Sequence, residues 1–375
     1  MIPIYGITFL DILSFTILIP LLPLFAKRFG ASDAMAGSLI GITAVCATIS
    51  SPLWGMLSDR HGRKSALLGS QAFSFIGYLL LASAGALPLV FISRIVEGLG
   101  GGNLGIASSY IADVTTLEQR PQALAYATAA FGAGFVVGPI ISGGLSHFGF
   151  TVPFVFAAIL QAANFGLTIA LLPESHQPIT SKFRWRELRD QLAQPRIASV
   201  LVRRFLYIFA FTYFFTTFSL FTNDVLHTGP EISSLLLGIA GVVGAVTQIA
   251  LVGPLVKRFG LQRVALAAFA AGITGYVLFG LVSSLLIFVI AIVFWAFSGS
   301  ILRPAIDTRI SELAPEDERG TILSLGDSLD NFSMIFAPTI GAAVVGAAPR
   351  LVGLIPALAL ASGFVLTARD APERS

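Results

Sequence analysis

Gly55-Met56-Leu57-Ser58-Asp59-Arg60-His61-Gly62-Arg63-Lys64 is the stretch on which the fold turns. Asp59, Arg60, Arg63 and Lys64 crowd into a short polar segment, and long apolar runs lie directly before and after it. A helix needs about 20 predominantly apolar residues to cross a bilayer, and both flanking runs reach that length. The segment therefore reads as a tight basic loop between two membrane-spanning helices, with Gly55 and Gly62 supplying the backbone freedom to turn. Basic loops of this kind stay on the cytoplasmic side, so this one fixes the orientation of the rest of the chain.

Of 375 residues, 55% are hydrophobic and only 11% charged, where an ordinary soluble chain carries about 25% charged residues. Mean hydropathy is +0.85, and the apolar runs recur from one end to the other, so the chain is an integral, polytopic membrane protein. Its net charge of +3 implies no nucleic-acid partner, because the basic residues sit in short loops. The lone Cys46 lies in an apolar run and can form no intrachain disulfide. The first apolar run begins close to Met1 and has no small-residue cleavage site after a short core, so it reads as a span and not as a signal peptide.

Taken in order, the spans run roughly from Ile4 to Ala26, Ala36 to Leu57, Ser65 to Ala84, Leu87 to Asp113, Gln122 to Ser146 and Thr151 to Leu172. After residues 173–198 they resume from Ser199 to Thr222, Ser233 to Val256, Val264 to Val282, Leu285 to Leu313, Gly320 to Gly346 and Leu351 to Thr367. Residues 1–172 and 199–375 thus form two six-helix bundles joined by a cytoplasmic linker, residues 173–198. In that linker Trp185, Leu188 and Leu192 share a helical face, with Arg184, Arg186, Arg189 and Asp190 around the rest of the wheel. This suits a helix lying in the headgroup layer or, equally, a solvated connector.

An even span count places both termini on one side. That side collects most of the 23 Lys and Arg residues, while the other holds Lys27, Arg28 and Arg350, and Arg94 and Arg303 remain inside spans. The crowded side is cytoplasmic by the positive-inside rule. An internal repeat agrees with this layout. Gly253-Pro-Leu-Val-Lys-Arg258-Phe-Gly260 aligns with Gly55 to Gly62, and Glu312, Arg319 and Pro338 align with Asp113, Arg120 and Pro139 at nearly the same offset. In the second copy Lys257 stands where the first has Asp59, and Leu261 and Gln262 replace the Arg63-Lys64 pair.

The pattern Gly-x-Leu-x-Asp-Arg-x-Gly-Arg-Lys resembles the signature loop between helices 2 and 3 of the major facilitator superfamily of secondary transporters. Further motifs resemble its drug/proton antiporter branch, and the tetracycline/proton antiporters in particular. They are Phe9-Leu10-Asp11 followed by Pro20 and Pro23, Arg94-Ile-Val-x-Gly98, Tyr110-Ile-Ala-Asp113, and Gly134-x-x-x-Gly138-Pro139-x-x-x-Gly143-Gly144. Glu97 departs from those exporters, in which that position is usually apolar or amide-bearing. The resemblance implies an all-α membrane protein of twelve transmembrane helices, in two pseudo-symmetric six-helix bundles that bind solute near the bilayer midplane. It also implies that helices 1, 4, 7 and 10 line the central cavity. Asp59 would lie at the N-terminus of helix 11, where the dipole favours an anion, and Arg63 would pair with Asp113. Together with Gly55, Arg60, Gly62 and Lys64 these would form a cytoplasmic gate. The plainer role of the loop is to anchor topology.

Charges inside the spans point the same way. Asp11 lies in span 1, Arg94 and Glu97 in span 4, Arg303 and Asp307 in span 10, and Asp327 and Asp330 in span 11. Span 7 has no interior charge but a polar aromatic face that includes Tyr207 and Tyr213. A charge at mid-bilayer costs at least ~2.5 kcal/mol on insertion scales, so such residues face a wet cavity or a partner. Arg94 with Glu97 and Arg303 with Asp307 each share a helix face. Arg303 and Asp330 lie at similar depth, as a cross-helix pair that serves either transport or structure alone. Asp11 has no base after it on its helix, and an acid in apolar surroundings is suited to take up and release protons. Glu97 is the second candidate.

In span 5, Gly134, Gly138 and Ser142 form a small-residue stripe for close helix contact, and Pro139 adds a kink. By resemblance the same stretch marks an exporter. The Gly98–Gly105 run reads as packing within an apolar helix. His61, His147, His176 and His227 have no ligand-spaced partner, so no metal site is expected. No phosphate loop, nucleophile triad or cofactor motif appears. The expectation is a monomeric, non-enzymatic transporter of the plasma (bacterial inner) membrane, with both termini cytoplasmic. It carries a small amphipathic organic molecule and couples to protons without a cofactor. A symporter or uniporter for a sugar, organic acid or other metabolite is the alternative.

Overall fold

Helices carry almost all of the backbone, because apolar segments in hydrocarbon must satisfy every N–H and C=O within themselves. The computed structural model describes residues 2–116, 119–175, 194–282, 284–313 and 319–369. They form α1 (Ile2–Leu18), α2 (Leu22–Arg28), α3 (Asp33–His61), α4 (Arg63–Ala82), α5 (Leu87–Leu99), α6 (Asn103–Val114), α7 (Arg120–Ser146) and α8 (Thr151–Leu171). Then come α9 (Pro195–Leu226), α10 (Pro230–Val246), a π-helical stretch (Thr247–Leu251), α11 (Val252–Phe259), α12 (Leu261–Gly280), α13 (Leu285–Leu313), α14 (Arg319–Ala347) and α15 (Leu354–Arg369). Among the described residues, twelve spans are long and apolar enough to cross a membrane. Their outward faces carry exposed Ile249, Ile159 and Leu286, which hydrocarbon tolerates and water would not.

The chain divides into two compact units, Met1–Thr180 with Thr228–Gly238, and Ser181–His227 with Ile239–Ser375. Inside the first, α1 packs on α7 and α8, and α4 on α5 and α8. Inside the second, α9 packs on α14 and α15, and α12 on α13 and α15. The helix pairing is therefore the same in both units, which is the structural form of the sequence repeat. The potential linker helix around Trp185 falls on residues 176–193, outside the described residues.

Three expectations need correction. The signature stretch is not a loop from Gly55 onward. Helix α3 runs through Gly55 as far as His61, and Gly62 alone makes the turn, at φ 99° and ψ 154°. Polar residues at a helix end need no loop when Asp59 and Arg63 can pair across it (below). The second copy turns on Gly260, at φ 81°. Next, the first span is broken between Leu18 and Leu22, where Pro20 and Pro23 remove backbone donors. Finally, the fourth span is not one helix, because Gly100–Gly102 interrupts it between α5 and α6.

The turn geometry gives a direct test. Gly62→Ala puts a Cβ into a backbone region that is essentially glycine-only, at a cost of about 1–3 kcal/mol. Gly55→Ala, within a helix, should leave stability unchanged or raise it by up to ~1 kcal/mol. Heat-unfolding midpoints of the detergent-solubilised variants separate the two, and equal losses would restore the loop reading for Gly55.

Candidate functional site

Each unit gathers its buried charges around named helix features. In the first unit, Gly62 brings the start of α4 back against the end of α3. Arg63 is 3% exposed there, with Nε 2.8 Å from Asp113 Oδ2 at the end of α6. Its Nη1 donates to Ser58 Oγ at 3.0 Å and to Asp59 Oδ1 at 2.5 Å. Asp113 is equally buried, while Asp59 is half exposed. Arg120 donates from Nη2 to the Ala112 carbonyl at 2.8 Å. Arg60 is exposed, and Lys64 donates from Nζ to the Ile169 carbonyl at 2.7 Å. Below this cluster Ile4, Leu67, Ile106 and Tyr110 form an apolar core.

The break in the fourth span has a local cause and a consequence. Glycines at 98, 100 and 102 let α3 and α4 approach the backbone so closely that a Cβ on Gly98 would lie 2.6 Å from the Thr43 carbonyl oxygen. Carbonyls freed by the break are taken by α3: Ser50 Oγ donates to Gly98 O at 3.0 Å and Trp54 Nε1 to Leu99 O at 2.7 Å. The chain then restarts at Asn103, whose Nδ2 donates to Asp11 Oδ1 at 2.7 Å. Gln161, midway along α8, donates from Nε2 to the same oxygen at 3.3 Å. Asp11 thus sits beside the middle of α8, held by neutral amides, and no base pairs with it among the described residues. Nearby on α5, Arg94 Nη1 lies 3.9 Å from Glu97 Oε2 and its guanidinium faces the Tyr78 ring at 5.8 Å. Arg94 is buried and Glu97 largely so, and among the described residues Arg94 Nη2 and Glu97 Oε2 hold no hydrogen bond.

Helix α7 packs its glycines on α1. A Cβ on Gly134 would lie 2.9 Å from Ile12 Cγ2, and Thr16 Oγ1 donates to the Gly134 carbonyl at 2.9 Å. Gly138 abuts Thr16 and Ile17, with Pro139 inside the helix just after it. Gly143 faces Ser234 of the same unit. The stripe therefore sets the distance between α7 and the helix that carries Asp11.

In the second unit the expectation that span 7 holds no interior charge is wrong. Helix α9 begins at Pro195 and takes Arg203 and Arg204 inside, at 5% and 3% exposure. Arg204 donates from Nε to Asp330 Oδ1 at 3.1 Å and from Nη2 to Oδ2 at 2.8 Å, a two-pronged pair. Its Nη1 reaches Asp307 Oδ1 at 2.8 Å. Arg303, half exposed, approaches Asp330 Oδ2 at 3.2 Å and Asp307 Oδ2 at 4.0 Å. Gly326 leaves room for the Arg204 guanidinium on α14. The side chain of Asp327 lies outside the described residues. Tyr207 donates to the Gly299 carbonyl at 3.1 Å beside the cluster. Tyr213 is fully buried in the unit, close to Phe209 at 6.1 Å between ring centroids. On the same helix Phe211 stacks on Trp295 at 5.2 Å; Trp295 donates to the Tyr276 hydroxyl at 2.9 Å.

Sequence reasoning missed Arg204, Asn103 and Gln161. A signal existed for the first, since proline is favoured at the first turn of a helix and Pro195 lengthens span 7 past both arginines. For the amides the signal was weaker: each is a polar residue in an otherwise apolar run.

Comparison with known proteins agrees with the geometry. Residues 4–251 and 200–375 match the Major Facilitator Superfamily, and the chain belongs to that family of non-enzymatic membrane transporters. It is 29% identical over 363 residues to the class C tetracycline resistance protein of Escherichia coli, covering 92% of this chain and 90% of the relative. It is 28% identical to multidrug resistance protein 2 of Bacillus subtilis (strain 168), covering 89% and 85%. Among solved structures, the human organic anion transporter MFSD10 superposes with a TM-score of 0.72 at 21% identity, over 97% of this chain and 98% of that one.

Proposed function

We propose that the protein exports small amphipathic organic compounds from the cytoplasm by alternating access, driven by proton entry. One observation carries this reading: Asp11 is a carboxylate inside a membrane span, bonded to Asn103 and Gln161 amides and, among the described residues, not to a base. An ion pair would hold its charge fixed, whereas amide donors leave it able to gain and lose a proton as substrate comes and goes. Glu97, next to Arg94, is the second candidate for carrying the proton in the same unit. Export is supported by the glycines of α7 and by relatives named for tetracycline and multidrug resistance. The Arg63–Asp113 pair, with Asp59 beside it, acts as a cytoplasmic gate that opens once per cycle. The positive-inside pattern supports cytoplasmic termini in a bacterial inner membrane, and the chain works as a monomer.

Inverted vesicles with an acid lumen test this. They should accumulate tetracycline or a cationic dye against its gradient, and a protonophore should release it. Accumulation that ignores the proton gradient, or movement of sugars and organic acids in place of these compounds, would replace export with the metabolite-carrier reading.

A further inference from the structure

The chain leaves α8 through Leu172-Pro173-Glu174-Ser175, and the reading above gives these residues no task. They fold back onto the Gly62 turn. Glu174 Oε1 accepts the Lys64 N–H at 3.2 Å and the Ser175 N–H at 3.1 Å. Lys64 is the second residue of α4, where backbone N–H groups lack intrahelical partners and the helix dipole favours an anion. In return Lys64 Nζ donates to the carbonyl of Ile169, in the last turn of α8, where carbonyls are equally short of partners. The start of α4 and the end of α8 therefore cap one another.

Two further contacts extend the exchange. Gly62 touches the Glu174 carboxylate so closely that any side chain at 62 would meet it, a Cβ lying 2.7 Å from Oε1. The dihedral angles require glycine at 62, and a side chain there would also push the Glu174 carboxylate off the turn. Ser175 Oγ donates to Asp113 Oδ2 at 3.4 Å, the oxygen that also accepts from Arg63 Nε. Leu172, in the apolar core with Ile4 and Leu67, holds the exit segment down.

We propose that Glu174 is a positioning residue for transport. It seats the Gly62 turn and, with Ser175 on Asp113, makes the exit from the sixth span a third arm of the Arg63–Asp113 gate. The gate then cannot open without displacing the first residues of the linker. This rests on the reading that the ion pair opens during the cycle.

Hydrogen–deuterium exchange and transport on the full chain test it together. Removing a charge-assisted bond frees the Lys64 amide, so Glu174→Ala should speed exchange across residues 62–66 roughly tenfold, with Glu174→Gln in between. In inverted vesicles Glu174→Ala should lower the maximal rate about fivefold with KM unchanged, and Asp113→Asn should lower it at least as much. The double variant should be no worse than Asp113→Asn alone, because groups in one network are not additive. If Glu174→Ala leaves exchange and rate as in the parent while Asp113→Asn is slow, Glu174 has no such role and the gate reading stands. If losses add in the double variant, Glu174 acts elsewhere. A full rate in Asp113→Asn would remove the gate and the Glu174 proposal with it.

Discussion

Asp11→Asn is expected to abolish uphill accumulation in inverted vesicles while leaving counterflow, the exchange of labelled for unlabelled compound, intact. The substitution is nearly isosteric, and the asparagine Oδ1 can still accept from Asn103 Nδ2, which now donates to Asp11 at 2.7 Å. Asn103 and Gln161 both donate to Oδ1, so the new amide nitrogen can take the Oδ2 position and the fold should survive. What disappears is the group that can be charged in one half of the cycle and neutral in the other. A carrier stripped of its coupling acid can still equilibrate substrate, but it cannot be driven by protons. Loss of both activities would mean that Asp11 positions substrate, and full uphill transport would hand the proton to Glu97. The same assay on Glu97→Gln decides that last case, because Arg94, 3.9 Å away and buried, would be left without its acid.

What was legible from the sequence follows from what hydrocarbon penalises. Span number, loop polarity and the repeat are written in long apolar runs and in the placement of Arg and Lys, since every violation costs several kcal/mol. Asp11, Glu97 and Asp330 stood out for the same reason. Less legible was everything set by helix ends. Gly55 and Gly62 look alike in a sequence, yet only Gly62 takes a positive φ, because Arg63 folds back on Ser58 and Asp59 and keeps α3 helical to its last turn. The interruption at Gly100–Gly102 was hidden because the carbonyls it frees are met by Ser50 and Trp54, far away in the chain. Gln161 lies 150 residues from its partner Asp11, and no local pattern announces such a pair. Glu174 reads as the first charge of a linker until Lys64 is seen beneath it.

Arg204→Met is expected to be the most damaging single change in the second unit, at about 3–5 kcal/mol of stability. The Arg204 side chain is 4% exposed and holds both oxygens of Asp330, whose side chain is itself only 13% exposed, and it also reaches Asp307. Removing it leaves two partly buried carboxylates facing each other with Arg303 as their remaining described cation. Arg303 cannot take over well: it is 46% exposed, and it approaches Asp330 at 3.2 Å where Arg204 comes to 2.8 Å. By the same reasoning Arg303→Met should cost about 1 kcal/mol or less, as exposed pairs do. The cost of Arg204→Met comes from stranded charge and not from lost attraction, so it should be reversible. Arg204→Met combined with Asp330→Leu should regain much of the loss, since an apolar replacement of a buried pair is often neutral or better. Heat inactivation of the solubilised variants gives the ranking. If Arg204→Met and Arg303→Met fall by equal amounts, the pair on Asp330 is not what holds α9 to α14. If the double variant is worse than Arg204→Met alone, Asp330 has a stabilising partner other than Arg204, and the network must be drawn around that partner instead.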